Sequence, residues 1–265
     1  MKPSLPAPMD VRLMNISAVV LAVGFCVAAL YTATSWAFRH QLFAISRIIV
    51  LGDVLHHNEV TLRANVTPRL QGNFFTMDLR QTRAAFEAVP WVRQAVVRRE
   101  FPNRLRVTLQ EHRSAGFWGA DSESRLLNSY GEVFEANPGD AESQDLPRLM
   151  GPDDQAAQVL AMYRSLSTLM TPMDASIEEL ELSGRGGWRM QLDSGAVVEL
   201  GRGSIDEVGE RTQRFLATLT QVIATYQRKG FDSMESADLR HNAGYAIKLR
   251  GISTVNITAA AAEKK

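Results

Sequence analysis

The chain of 265 residues sets 29 basic against 29 acidic side chains, and its apolar (45%) and charged (22%) fractions are those of an ordinary soluble protein with room for two modest domains. Zero net charge argues against a general nucleic-acid binder, which carries a basic excess. The one cysteine, Cys26, lies in an apolar segment, so the aqueous remainder holds no disulfide, no cysteine-bound zinc or iron–sulfur centre and no thiol nucleophile.

Residues 13–38 contain no charged side chain, and the apolar run from Ile16 to Tyr31 lies at its heart. A helix needs about 20 residues to cross a bilayer, and this segment supplies them. Tyr31 and Trp36 stand where an interfacial aromatic belt is expected, and Arg12 and Arg39 bracket the span. The rival reading is a signal peptide cleaved among the small residues between Ala29 and Ser35. The run exceeds the roughly 7–15 residues of a signal core, which favours a retained anchor. Lys2 and Arg12 on one side nearly balance Arg39 and Arg47 on the other, so charge does not orient the helix.

After Leu42 the pattern changes to short strands and amphipathic helices. Ile48-Ile49-Val50 before Gly52-Asp53 predicts a strand, and Asn58 to Leu70 a helix broken at Pro68. Asp78-x-x-Gln81 has the form of a capping box for a helix running to about Val89, ended by Pro90. Trp91 to Phe101 and Arg104 to Glu111 flank a Pro102-Asn103 turn. Leu105, Val107 and Leu109 alternate with polar residues, which predicts a hairpin with one dry face and one basic face carrying Arg98, Arg99, Arg104 and Arg106. That face is read either as solvated or as a docking surface for an acidic partner or anionic lipid.

From Arg113 onward, Phe117-Trp118, Leu126-Leu127 and Val133-Phe134 are strand candidates around a Tyr130-Gly131 turn, followed by an extended Leu146-Pro147-Arg148-Leu149. Val159, Tyr163, Leu166 and Met170 share one helical stripe that Pro172 stops. Three meander strands are expected at Ile177–Leu182, Trp188–Leu192 and Ala196–Leu200, the last two joined at Asp193-Ser194-Gly195. Ser204-x-x-Glu207 opens a long helix bearing Val208, Phe215, Leu219, Val222 and Tyr226, which Gly230 ends. Ser236 to Arg250 supplies one or two final strands, and residues 253–265 read as a disordered tail.

The sequence offers no constellation for catalysis, and no cofactor or metal is expected. The histidines are His40, His56, His57, His112 and His241, and the adjacent His56-His57 pair with Glu59 points its imidazoles to different sides of any regular element. No Gly-x-Ser-x-Gly elbow or Walker loop occurs, and Gly201-Arg202-Gly203-Ser204 lacks the Walker lysine. Trp91, Trp118 and Trp188 read as packing residues.

Several motifs recur together in one protein family. They are Gly72-Asn73-Phe74-Phe75 before a capped helix, Pro90-Trp91-Val92, Val96-x-Arg98-Arg99 with Phe101-Pro102, and Leu105-x-Val107-x-Leu109-x-Glu111. Leu146-Pro147-x-Leu149-x-Gly151-Pro152, Leu200-Gly201-Arg202-Gly203 and Asp238-Leu239-Arg240 complete the series. Residues 42–112 thereby resemble a POTRA domain, and the whole chain resembles the FtsQ/DivIB family of bacterial cell-division proteins. Ser114, His241 and Leu249 depart from that pattern, which has a proline and two aromatics there.

The resemblance implies an α+β protein: a cytoplasmic tail (1–12), a transmembrane helix (13–38), a POTRA domain of β-α-α-β-β order (42–112) and a β-rich partner-binding domain with an antiparallel sheet (113–252). It implies a non-enzymatic divisome scaffold in the inner membrane, with its bulk in the periplasm at the septum. The expected partners are FtsB and FtsL at the C-terminal domain and FtsK near the POTRA domain. The family's final strand accepts a strand from FtsB, and the arginine of the Asp-Leu-Arg triplet carries over to Arg240. Arg185 is a second candidate. His241, Ala243, Gly244, Tyr245, Ile247 and Leu249 line the expected edge, with Tyr245 and Ile247 as apolar anchors on one face and Gly244 permitting close backbone approach. An edge strand merely guarded by charge is the plain alternative. A POTRA-type polypeptide-binding module of a translocation system would need a membrane barrel for which the chain has no room. A membrane-anchored wall enzyme would need a catalytic group that the sequence does not show.

Overall fold

The uncharged N-terminal run folds as one continuous helix, α1 (Met9–Arg39), none of whose spanning window is buried against the rest of the protein. At 1.5 Å per residue its 31 residues extend roughly 46 Å, more than a hydrocarbon core of about 30 Å. Its hydroxyls suit an apolar medium: Ser17, Thr32 and Thr34 each donate to the carbonyl four residues back, at 2.8–2.9 Å. Among the described residues it is the one helix long and apolar enough to cross a membrane, which fits a single-pass membrane protein. The computed structural model describes residues 9–39, 43–52, 59–120, 124–137, 139, 145–225, 231–241 and 244–251. His40, His56, His57, Asn58, Tyr226, Gly230, Ala243 and the expected tail lie outside them.

Two compact units divide between Glu111 and His112. In the first, β1 (Arg47–Gly52), α2 (Glu59–Val66), α3 (Leu79–Glu87), β2 (Val92–Glu100) and β3 (Arg104–Glu111) follow in the predicted order, and Thr67–Arg69 forms a single 3-10 turn around Pro68. The capping box at Asp78 is half formed. Its carboxylate accepts from the Arg80 and Gln81 amides at 2.7 and 3.4 Å. β3 lies centrally, parallel to β1 and antiparallel to β2. Leu105, Val107 and Leu109 are buried, and the last two pack with Leu62, Val66, Ala85 and Phe86 beneath the helices. Arg98 pairs opposite Arg106 on the exposed face, whereas Arg99 pairs opposite buried Leu105 and donates to the Met77 carbonyl at 2.5 Å. Arg99 is therefore removed from the basic face, because the strand alternation that exposes Arg98 turns its neighbour to the other side.

The second unit contains β4 (Ser114–Trp118), β5 (Arg125–Asn128), β6 (Val133–Glu135), β7 (Arg148–Met150), α4 (Ala156–Met170), β8 (Ile177–Leu182), β9 (Gly187–Leu192), β10 (Val197–Arg202), α5 (Ile205–Thr225), β11 (Met234–Asp238) and β12 (Ala246–Leu249). The strands join in one sheet of order β12-β11-β10-β9-β8-β7-β4-β5-β6. The expected antiparallel sheet is in fact mixed, with parallel pairings at β4–β7, β7–β8 and β10–β11. Two of these follow from α4 and α5, each of which returns the chain to the same end of the sheet before the next strand begins. Val159, Met162, Leu166, Phe215 and Leu219 of the helices meet Leu180, Met190, Leu192 and Val198 of the sheet in one core. Ser204 and Glu207 close a reciprocal capping box at 3.3 and 2.8 Å. The three tryptophans outside α1 are packing residues. Trp91, Trp118 and Trp188 are almost wholly buried, and Trp118 donates its indole N–H to Asp153 at 2.8 Å. His112 stacks on Phe134 with ring centroids 4.1 Å apart.

Candidate partner-binding site

The sheet order leaves β12 at one margin, paired to β11 alone among the described residues. The strand expected from Arg240 is shorter than its alternation suggests. It begins at Ala246, because the chain after β11 is held elsewhere. The Leu239 amide donates to the Glu199 carbonyl of β10 at 2.8 Å, and the Arg240 amide folds back on the Asp238 carboxylate at 3.0 Å. Arg240, His241, Gly244 and Tyr245 are thus loop residues next to the edge.

The apolar members of the candidate set face the protein. The Tyr245 ring meets Phe215 edge-on with centroids 5.0 Å apart, and its hydroxyl lies 2.6 Å from that of Thr218. Ile247 packs on the same core, and Leu249 is buried opposite Met234. They pin the edge strand in place, and Ala246 and Lys248 are the side chains that β12 leaves exposed. Lys248 is tied to Glu235 at 2.5 Å. Gly244 is exposed with open space where a Cβ would stand.

On the same sheet, with β11 between it and β12, an open groove of about 610 Å³ is lined from β8, β9 and β10 and the loop after β11. It brings together Arg185, from the β8–β9 turn, and Arg240, from the loop after β11, residues 55 positions apart in the sequence. Arg189, Arg202 and Arg211 join them, with Glu181, Glu199 and Trp188 completing much of the lining. Arg189 pairs with Glu199 at 2.6 Å. Arg211, from α5, donates to the carbonyls of Leu200 and Arg202. Gly201 makes this possible: it has φ +80°, and a Cβ there would stand 3.0 Å from the Arg211 guanidinium and 3.2 Å from the Arg240 side chain. Arg240 grips Asp238 through two forked contacts, Nε to Oδ1 at 2.9 Å and Nη2 to Oδ2 at 2.6 Å. The Arg240 guanidinium hydrogen bond holds the Asp238 carboxyl down at about 2. The arrangement offers two separate features to a partner: a strand edge at β12 for backbone hydrogen bonding and, across β11, arginines that suit carboxylates. The sequence reading missed Arg189 and Arg211, and named Arg202 only within the Leu200-Gly201-Arg202-Gly203 motif. The alternation of β9 around buried Trp188, Met190 and Leu192, and the position of Arg211 two turns past the Ser204 cap, were the available signals.

Comparison with known proteins agrees with the architecture. Residues 43–112 match the family model described as POTRA domain, FtsQ-type, and residues 116–240 that described as Cell division protein FtsQ/DivIB, C-terminal. The Cell division protein FtsQ of Burkholderia pseudomallei is 41% identical over 92% of this chain and 94% of its own length. That of Thiomonas arsenitoxydans is 34% identical over 92% and 89%, and that of Bordetella pertussis 33% identical over 91% and 92%.

Proposed function

The chain belongs to the FtsQ/DivIB family of bacterial cell-division proteins, and from that premise we propose that it is a non-enzymatic scaffold of the divisome that recruits FtsB and FtsL. Its short N-terminus is cytoplasmic and its two folded units are periplasmic, at the septum of the inner membrane. There it links early division proteins to septal peptidoglycan synthesis, with FtsK meeting the POTRA unit. The observation that carries this reading is the convergence of Arg185 and Arg240 in one groove on the sheet whose margin is the edge strand β12. A partner strand would add to β12 by backbone hydrogen bonds, while carboxylates from a segment of the partner that continues past the end of β11 engage the arginines. Because Tyr245, Ile247 and Leu249 are turned inward, they serve this interface by setting the position of β12, and Ala246 and Lys248 meet the partner.

The test is the affinity of the full-length protein, in bilayer nanodiscs, for FtsB and FtsL of the same organism. Truncating or reversing one partner of such a charge pair costs about 2–5 kcal/mol, so Arg240→Glu is expected to weaken binding by at least roughly thirtyfold. Arg240→Glu binding as tightly as the parent would remove the groove from the interface.

A further inference from the structure

We propose that the pole of the POTRA unit nearest α1 docks on the bilayer surface and recognises anionic phospholipid headgroups. This goes beyond the partner reading and rests only on α1 crossing the membrane.

Three segments meet at that pole. The Phe74 amide donates to the Phe43 carbonyl and the Ser46 amide to the Asn103 carbonyl, both at 2.9 Å. These bonds gather the start of β1, the loop before α3 and the β2–β3 turn. Their aromatic rings form a chain: Phe43 on Phe75 at 4.9 Å, Phe75 on Phe74 at 5.2 Å, Phe74 on Phe101 at 6.2 Å. Phe74 is buried, but Phe75 is 43% exposed and Phe101, at the tip of the turn, 75% exposed. Aromatic side chains displayed in this way gain from an interface that is part apolar and part wet.

Basic side chains flank the rings. Arg47 of β1 pairs in register with Arg104 of β3, and Arg106 with Arg98 of β2, so four arginines share the outer sheet face that ends at the aromatic tip. Glu100 answers one of them, Arg106, at 3.0 Å. The zero net charge of the whole chain conceals the asymmetry. Residues 43–112 carry ten arginines against six acidic residues, whereas residues 113–265 carry sixteen basic against twenty-two acidic ones.

Tether length selects the membrane over an acidic protein as the occupant. Arg39 is the first charge after the uncharged run and belongs at headgroup level. Phe43 follows four residues later, so its Cα lies no more than about 14 Å from that of Arg39, however the chain runs between them. The aromatic pole is therefore confined to the neighbourhood of the headgroups, where a positive face is attracted to an anionic leaflet.

The test uses the full-length protein in nanodiscs of phosphatidylcholine alone or with one-third phosphatidylglycerol, each with brominated acyl chains. Phe101→Trp reports the tip, and subtracting the parent spectrum cancels Trp36, Trp91, Trp118 and Trp188. The added emission is expected to be blue-shifted and quenched in the anionic discs. It should return towards the aqueous value in about 1 M salt, where the screening length falls to about 3 Å. In a further Arg98→Glu/Arg104→Glu background the quenching should be lost, each removed arginine weakening contact roughly fivefold, or about 1 kcal/mol. The salt titration needs no charge variant, so a folding defect in that background cannot imitate the result. Unshifted, unquenched emission in the anionic discs overturns the docking. Quenching of equal strength in both lipids and indifferent to salt overturns the headgroup recognition.

Discussion

Arg240 and Asp238 show how a motif of three residues does two tasks. The carboxylate satisfies the Arg240 amide and also fixes its guanidinium, with which it forms a fork. A carboxyl held at about 2, below its ordinary value near 3.9, adds stability that is complete above the ordinary value and is lost as the pH falls through about 2. Asp238→Asn is therefore expected to flatten the acid limb of the stability profile between about pH 4 and 2 and to leave neutral-pH stability within about 1 kcal/mol of the parent. Urea unfolding at stepped pH measures both, and an unchanged acid limb would show that the fork does not persist in solution. Ser204 poses a simpler case. Its hydroxyl caps α5 by accepting from Glu207 at 3.3 Å, and Ser204→Ala should cost about 1 kcal/mol in the same assay.

At the scale of elements, Gly201 joins fold and site. A side chain there must adopt a positive φ and press on the Arg211 guanidinium, which fastens α5 to the end of β10. Gly201→Ala is expected to cost about 1–2 kcal/mol from the left-handed backbone alone. It should also weaken partner binding, because Arg211 and Arg240 stand against the same position. Loss of stability with binding fully retained would separate the turn from the groove. What could be read from sequence at this scale was what is encoded locally. Leu105, Val107 and Leu109 announced the hairpin by alternation, and Ser204 with Glu207 announced α5 by spacing. The parallel pairings of β7 with β8 and β10 with β11 had no such signature, since they join segments on either side of whole helices. The last strand was read too long for a related reason. Tyr245, Ile247 and Leu249 alternate as a strand does, but the bonds of Leu239 to β10 and of Arg240 to Asp238 hold the preceding residues in a loop. Arg185 and Arg240 were identified through family resemblance, and only the folded sheet shows that they line the same groove.

At the scale of the whole molecule, the two units have separate interiors. The core of the first gathers Leu62, Val66, Phe86, Val107 and Leu109, and that of the second Met162, Leu166, Leu180, Met190 and Phe215, with no residue in common. Each unit also completes its own sheet. Cooperative unfolding requires shared packing, so chains with divided cores commonly depart from a single transition. Leu109→Ala and Leu180→Ala each remove a buried leucine side chain and should each cost about 2–5 kcal/mol, but in different units. Leu109→Ala is expected to lower the melting of residues 43–111 and leave 112–251 unchanged, and Leu180→Ala the reverse. The smaller unit should move further, by about 4–8 °C per kcal/mol against about 2–4 °C for the larger, because its unfolding entropy is smaller. Hydrogen exchange followed by mass spectrometry across a temperature series on the full-length protein assigns each transition to its residues. If either substitution lowered both transitions together, the units would be thermodynamically coupled, and a force or ligand acting on the POTRA unit would be felt at β12. If the transitions move independently, a ligand of one unit leaves the stability of the other unchanged, which is the behaviour the proposed scaffold role calls for.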